Sequence, residues 1–147
     1  MKRILIATDG SDGAWAAVEE GVQLASEVGA EVTFVTVRHP VSGLFGDHLY
    51  QQHLTEQLEH VRAVIDRAQA EAGRVGVRCE ADILEGDPVE CIARAARTWN
   101  ADLLVVGSRG HGAVASALIG SVSRELLTQS PAPVMVVRAS VPTGAAA

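Results

Sequence analysis

Five short runs rich in apolar and β-branched residues recur along the chain, and a stretch with helical spacing separates each run from the next. No other feature constrains the fold as strongly. Ile4 to Ala7 forms the first run and ends at Thr8-Asp9-Gly10-Ser11, which predicts a strand buried on both faces. Trp15, Val18, Val22 and Ala25 follow at spacings of three and four, a helical stripe that Ser11 or Asp12 can cap and Gly29 can stop. Glu31 to Val37 predicts a second strand. Pro40, Gly43 and Gly46 mark Arg38 to Asp47 as a loop. Leu54, Leu58, Val61, Ile65, Ala68 and Ala72 predict a long amphipathic helix ending near Gly73 and Gly76. Val77 to Leu84 is a weaker third strand. Asp87-Pro88 opens a helix that runs to Trp99, and Ala101 to Val106 predicts a fourth strand. A glycine-rich stretch from Gly107 to Gly120 leads into a last helix, ended by Ser130-Pro131, and Val134 to Val137 predicts the fifth strand.

The predicted order is β-α-β-α-β-α-β-α-β. Such alternation specifies an α/β fold with a parallel sheet and helices on both faces. Right-handed crossovers leave few topologies, and the open doubly wound, Rossmann-like form with strand order 3-2-1-4-5 is the expected one. In that form ligands bind beyond the carboxyl ends of the strands, where the winding reverses between strands one and four. The Asp9 turn and the Gly107 loop should therefore meet, although far apart in sequence. The 147 residues suit one domain over residues 1–139, with residues 140–147 a loose tail.

Charge and composition narrow the function. The net charge is −6 and aromatics make up 3%, so neither a basic footprint nor a base-stacking platform for nucleic acid is present. No apolar run approaches the ~20 residues of a membrane helix, and the first residues lack a signal-peptide pattern, so a cytoplasmic protein is expected. Cys79 and Cys91 form no CxxC and are expected to be buried and reduced.

The glycine-rich stretch reads Gly107-Ser108-Arg109-Gly110-His111-Gly112, and after Ala113 to Ile119 it closes on Gly120-Ser121-Val122-Ser123. Glycines at a strand end let backbone N–H groups approach a ligand, and successive bared N–H groups form an anion nest. Ser121 and Ser123 add hydroxyls at a helix start, where free N–H groups and the helix dipole favour anions. Arg109 and His111 can add positive charge. The set suits a phosphate chain, although a purely structural turn would also use glycine. A Walker loop is excluded because Lys2 is the only lysine, and a dinucleotide fingerprint is excluded by the wide glycine spacing. His53, Glu56 and His60 can share a helix face beside His48 in the preceding loop, but no zinc spacing is present and a solvated polar face is the expected reading.

The spacing G-x2-G-x9-G-S over Gly107, Gly110, Gly120 and Ser121 resembles the ATP-binding branch of the universal stress protein family. Residues 4–11 (ILIATDGS) look like that family's first strand and acidic turn, and residues 120–138 look like its last helix and strand. The resemblance implies ATP binding, with Mg²⁺ on the phosphates, and dimerisation. It implies that Asp9 lies near ribose or the metal, that the Val37 backbone holds adenine, and that Gly107, Gly110, Gly120, Ser121 and Val122 cradle ribose and phosphates with Ser123 close by. Arg109 falls at a variable position of the family's pattern and is a further candidate for contact with the ligand. Asp9 could instead cap the following helix, and Ser121 could be an N-cap without a ligand.

The expected function is a nucleotide-dependent sensor or regulator in the stress response, with an adenine nucleotide, a second copy of the chain and a regulatory protein as partners. The alternative is a slow ATP-hydrolysing enzyme, since the fold class resembles adenine-nucleotide hydrolases. Such enzymes typically carry a Ser-Gly-Gly-x-Asp-Ser loop, where this chain has Asp9-Gly10-Ser11-Asp12-Gly13. It also lacks an identifiable water-activating base. A phosphoacceptor receiver would need a lysine after the fifth strand, and a flavin carrier would need aromatic residues against the ring.

Overall fold

A computed structural model describes residues 1–40, 43, 46–108 and 119–139 of the chain. The elements run β1 (Arg3–Ala7), α1 (Asp12–Val28), β2 (Glu31–Arg38), α2 (Asp47–Arg74), β3 (Cys79–Glu85), α3 (Pro88–Thr98), β4 (Leu103–Gly107), α4 (Ser121–Gln129) and β5 (Val134–Val137). All neighbouring strands pair in parallel, in the order β3-β2-β1-β4-β5 that the alternation predicts. The central pairing joins distant segments, with Ile4 beside Leu103, Leu5 beside Leu104 and Ile6 beside Val105.

Strand alternation divides the core into two layers. Ile4, Ile6, Val32, Phe34 and Val105 face α1 and α2, against Val18, Val22, Ile65 and Ala68. Leu5, Ala7, Val35, Leu104 and Val106 face α3 and α4, against Ile92, Ala96 and Leu126. The central strands are thus apolar on both faces, as a doubly covered sheet requires. Among the described residues no buried side-chain nitrogen or oxygen lacks a hydrogen-bond partner.

Local chemistry sets the element ends. Ser11, the alternative to Asp12, is the N-cap of α1, and its hydroxyl accepts from the Ala14 N–H at 3.2 Å. Gly29 ends that helix in the left-handed conformation at φ 72°. Asp87 caps α3 by accepting from the Glu90 N–H at 3.0 Å. At the opposite end of the sheet, Asp102 accepts from the Lys2 and Arg3 N–H groups at 2.8 and 2.9 Å. These bonds hold its carboxyl below the usual carboxylate range and tie the start of β1 to β4.

Five details differ from the sequence-based expectations. Arg38 extends β2, pinned by its pairing with Glu85 on β3, and is not loop. The long helix begins at Asp47, before the apolar stripe, so His48 lies in its first turn and not in a loop. The lower part of the stripe is less buried than expected: Leu58 is exposed, and burial begins at Val61. Of the two free thiols, Cys91 is buried but Cys79 only half-buried, where partial burial pushes its thiol up. Trp15 is half-buried rather than core, and the Arg67 guanidinium lies 3.7 Å from its ring centroid, a cation–π contact between α1 and α2. The expected tail at residues 140–147 lies outside the described residues.

Candidate functional site

A cavity of about 470 Å³ opens at the carboxyl ends of β1, β2 and β4, within the ~300–1,000 Å³ range of small-molecule sites. It lies where the winding reverses, as the topology requires. Asp9, Val37, Gly107, Gly120, Ser121, Val122 and Ser123 all line it. Residues drawn from the start, the first third and the last third of the chain therefore converge on one space. Arg109, Gly110 and His111 lie outside the described residues.

Each wall has a local cause. Ala7 is the last residue of β1 and pairs with Val35, so β2 runs on past the end of its neighbour. Thr8 N–H donates to the Val35 carbonyl at 2.9 Å, whereas Val32 N–H and the Arg38 carbonyl bond toward the β3 side. Backbone groups alternate in direction along a strand. Val37 therefore turns its N–H and carbonyl toward the β1 side, beyond the last β1 partner and over the cavity. One backbone donor and one acceptor face the space together.

Asp9 follows the buried Thr8 and is itself half-buried. Its Oδ1 accepts from the Ser11 N–H at 2.9 Å, which folds the turn and aims the carboxylate. Capping of α1 is done by Ser11, so the cap reading of Asp9 does not hold. Gly10 adopts φ +83°, and a Cβ there would stand 2.6 Å from the Val64 Cγ2. Both the backbone angle and the close approach of α2 require glycine.

The α4 end is built differently from its neighbours. The starts of α1, α3 and α4 all border the cavity, and α1 and α3 are capped by their own side chains. α4 starts at Gly120, which offers no side chain to its free N–H groups, and the first bond within the helix is Arg124 N–H to the Gly120 carbonyl at 3.0 Å. Ser121 is therefore not the N-cap but the exposed first helical residue. The N–H groups of Ser121, Val122 and Ser123 precede that bond and face no intrahelical acceptor, an arrangement suited to an anion. The Ser123 side chain is buried, and its hydroxyl donates to the Gly107 carbonyl at 2.5 Å. Gly120 N–H donates to the Ser108 carbonyl, so both ends of the glycine-rich stretch are tied together.

Sequence reasoning missed one whole wall. Gln57, His60 and Val61 of α2 line the cavity, as do Thr36, Arg38 and His39 at the end of β2 and Pro88 and Ile92 of α3. Arg38 has its side chain mostly buried, bonds the Glu85 Oε2 at 2.6 Å and donates to the Gln57 Oε1 at 3.3 Å. His53, Glu56 and His60 do share a helix, but among the described residues no group of three His, Cys, Asp or Glu side chains could hold a metal ion. Nor is any described helix long and apolar enough to cross a membrane.

Comparison with known proteins agrees with this architecture. A universal stress protein of Thermus aquaticus is 39% identical over 138 residues, covering 94% of this chain and 99% of that one. The crystal structure of a universal stress protein in complex with cAMP aligns at 27% identity and a TM-score of 0.73, covering 95% of this chain and 98% of the other. A universal stress protein family member from Burkholderia pseudomallei aligns at 30% identity and a TM-score of 0.77, covering 92% and 95%. The model of the universal stress protein family matches residues 1–138, and this chain belongs to that family.

Proposed function

We propose that this protein binds an adenine nucleotide, ATP with Mg²⁺, and acts as a cytoplasmic nucleotide-dependent regulator in the stress response rather than as a turnover enzyme. The observation that carries this reading is the pairing of two unlike ends in one cavity. The α4 start offers free N–H groups for phosphate. Across β1, roughly 10 Å away at ~4.8 Å per strand, the Val37 backbone offers one donor and one acceptor. Adenine presents a ring-nitrogen acceptor beside its exocyclic amino donor, the complement of that pair. Asp9 lies between them, at the end of β1. The cAMP complex of a relative supports the same ligand class. Calorimetry with ATP, AMP and cAMP tests the reading, together with mass spectrometry of ligand released by acid. No binding of any adenine nucleotide would overturn it, and rapid phosphate release from ATP would favour the hydrolase alternative.

Asp9→Ala is expected to weaken ATP binding about tenfold with Mg²⁺ and less without it, if the carboxylate holds the metal. Equal weakening in both conditions places Asp9 on the ribose. Unchanged affinity in both removes it from the site.

Assembly is the second part of the proposal. Among the described residues β5 has β4 as its only strand neighbour. Leu104 N–H donates to the Pro133 carbonyl and Ser108 N–H to the Val137 carbonyl, so odd-numbered residues bond inward. Val134 and Val136 therefore turn their backbone groups outward, on a strand with no charged residue. A second copy related by a two-fold axis satisfies them by antiparallel pairing. Val136→Pro removes an outward donor from each copy and is expected to weaken the homodimer about tenfold or more. Light scattering across a dilution series measures this. A parent protein that is monomeric at micromolar concentration refutes the pairing.

A further inference from the structure

The wall that α2 contributes carries a polar cluster with an unusual division of labour. Arg38 and Glu85 stand opposite each other on β2 and β3, with the guanidinium 2.6 Å from the carboxylate. The Arg38 charge is thereby neutralised by a neighbour rather than offered to a ligand. A second guanidinium nitrogen, Nη1, donates to the Gln57 Oε1 at 3.3 Å. A guanidinium donates and never accepts, so this bond decides which way the carboxamide faces. The oxygen turns to Arg38 and the amino group turns away. Gln57 is half-buried and lines the cavity, and no hydrogen bond holds its Nε2 among the described residues. The cluster thus delivers an oriented, uncharged N–H donor to the β2 end, two strands away from the α4 start.

Resting on the nucleotide reading above, we propose that Gln57 is a base-reading residue whose Nε2 donates to a purine ring nitrogen, N7 or N3, outside the edge that faces Val37. Arg38, held by Glu85, is its positioning residue. The chemistry fits the place. A neutral amide donor pairs with an uncharged ring nitrogen, whereas a free arginine there would draw a phosphate into the base end. Glutamine is also a standard partner of the adenine N6/N7 edge.

The test compares ATP with its 7-deaza and 3-deaza analogues, in which carbon replaces one ring nitrogen, by calorimetry on the full chain. One analogue is expected to bind the parent about 3- to 10-fold more weakly, the range of one neutral hydrogen bond. Gln57→Leu should bind ATP more weakly by a similar factor and no longer distinguish ATP from that analogue. Gln57→Glu retains an acceptor for Arg38 but has no donor, and should behave as Gln57→Leu does. Arg38→Met should shrink the ratio between ATP and the analogue, and Arg38→Lys, which still donates to the Gln57 Oε1, should restore it. A parent that binds both analogues as tightly as ATP overturns the assignment and leaves nucleotide binding intact. So does a Gln57→Leu variant that keeps the full discrimination. Failure of the parent to bind ATP at all overturns both readings together.

Discussion

Gly107→Val is expected to cost both fold stability and nucleotide affinity. Gly107 ends β4 directly against the start of α1. A Cβ at this position would stand 2.5 Å from the Gly13 carbonyl oxygen and 2.7 Å from its carbon. Both are backbone atoms, so no rotamer can relieve the clash, and strand and helix must separate. Overpacking of this kind costs about 1–3 kcal/mol. The same shift displaces the Gly107 carbonyl, to which the Ser123 hydroxyl donates, and with it the start of α4. ATP affinity should fall about tenfold or more, since each 1.4 kcal/mol of misplaced contact is a factor of about ten. Urea titration and calorimetry read the two effects. Parent-like stability would show that the helix can move aside freely. Parent-like affinity would detach Gly107 from the site.

Phe34→Ala should have the larger effect on stability and the smaller one on binding. Among the described residues Phe34 is the largest of the fully buried side chains, at 0% exposure, and its ring sits between the sheet and the layer of α1 and α2. Truncation at such a site costs about 3–5 kcal/mol. Against a total of about 5–15 kcal/mol this is a large share. The melting temperature should fall by roughly 10–15 °C, and the urea midpoint should drop with an unchanged slope. Its side chain points away from the cavity, which Val35 and Val37 line instead. The folded fraction should therefore bind ATP as the parent does. A loss below about 1.5 kcal/mol would mean that α2 collapses onto the sheet and refills the space.

These two residues show how unevenly the molecule was written in its sequence. Phe34 lies in a β-rich run that reads as a strand at sight, and the same holds for the apolar runs Ile4 to Ala7 and Val134 to Val137. Helix ends were legible wherever a side chain or a glycine makes them, as at Ser11, Gly29 and Asp87. The start of α2 was not, because Gly46 supplies no cap and Asp47 to His53 carry a weak apolar pattern. The site divides in the same way. Glycine spacing and the acidic turn point to Gly107, Gly120 and Asp9, since backbone approach and a lone carboxylate leave marks in residue type. Gln57 and His60 leave none. A polar residue on a helix reads as solvated whether it faces water or a cavity, and only the pairing of β2 with β3 brings Arg38 and Glu85 to Gln57. Overhang past a neighbouring strand is likewise a matter of relative length, so the exposed backbone of Val37 appears only once Ala7 is seen to pair with Val35.

The pairing of Ile4 to Ile6 with Leu103 to Val105 also fixes when the site can come into being. During synthesis β1 emerges before its β2 partner, which follows within some thirty residues. Its other flank must wait for β4, about 5–20 s later at ~5–20 residues per second. Throughout that interval an apolar strand that ends as the middle of the sheet is a bare edge, open to pairing with another chain. Closing such a long loop is also slow for entropic reasons. The cavity cannot exist until β1 and β4 meet, so a ligand that needs both sides of it can reward only a chain in which that pairing has formed. A nucleotide bound there, as proposed, would act on the yield of folded protein as well as on its state.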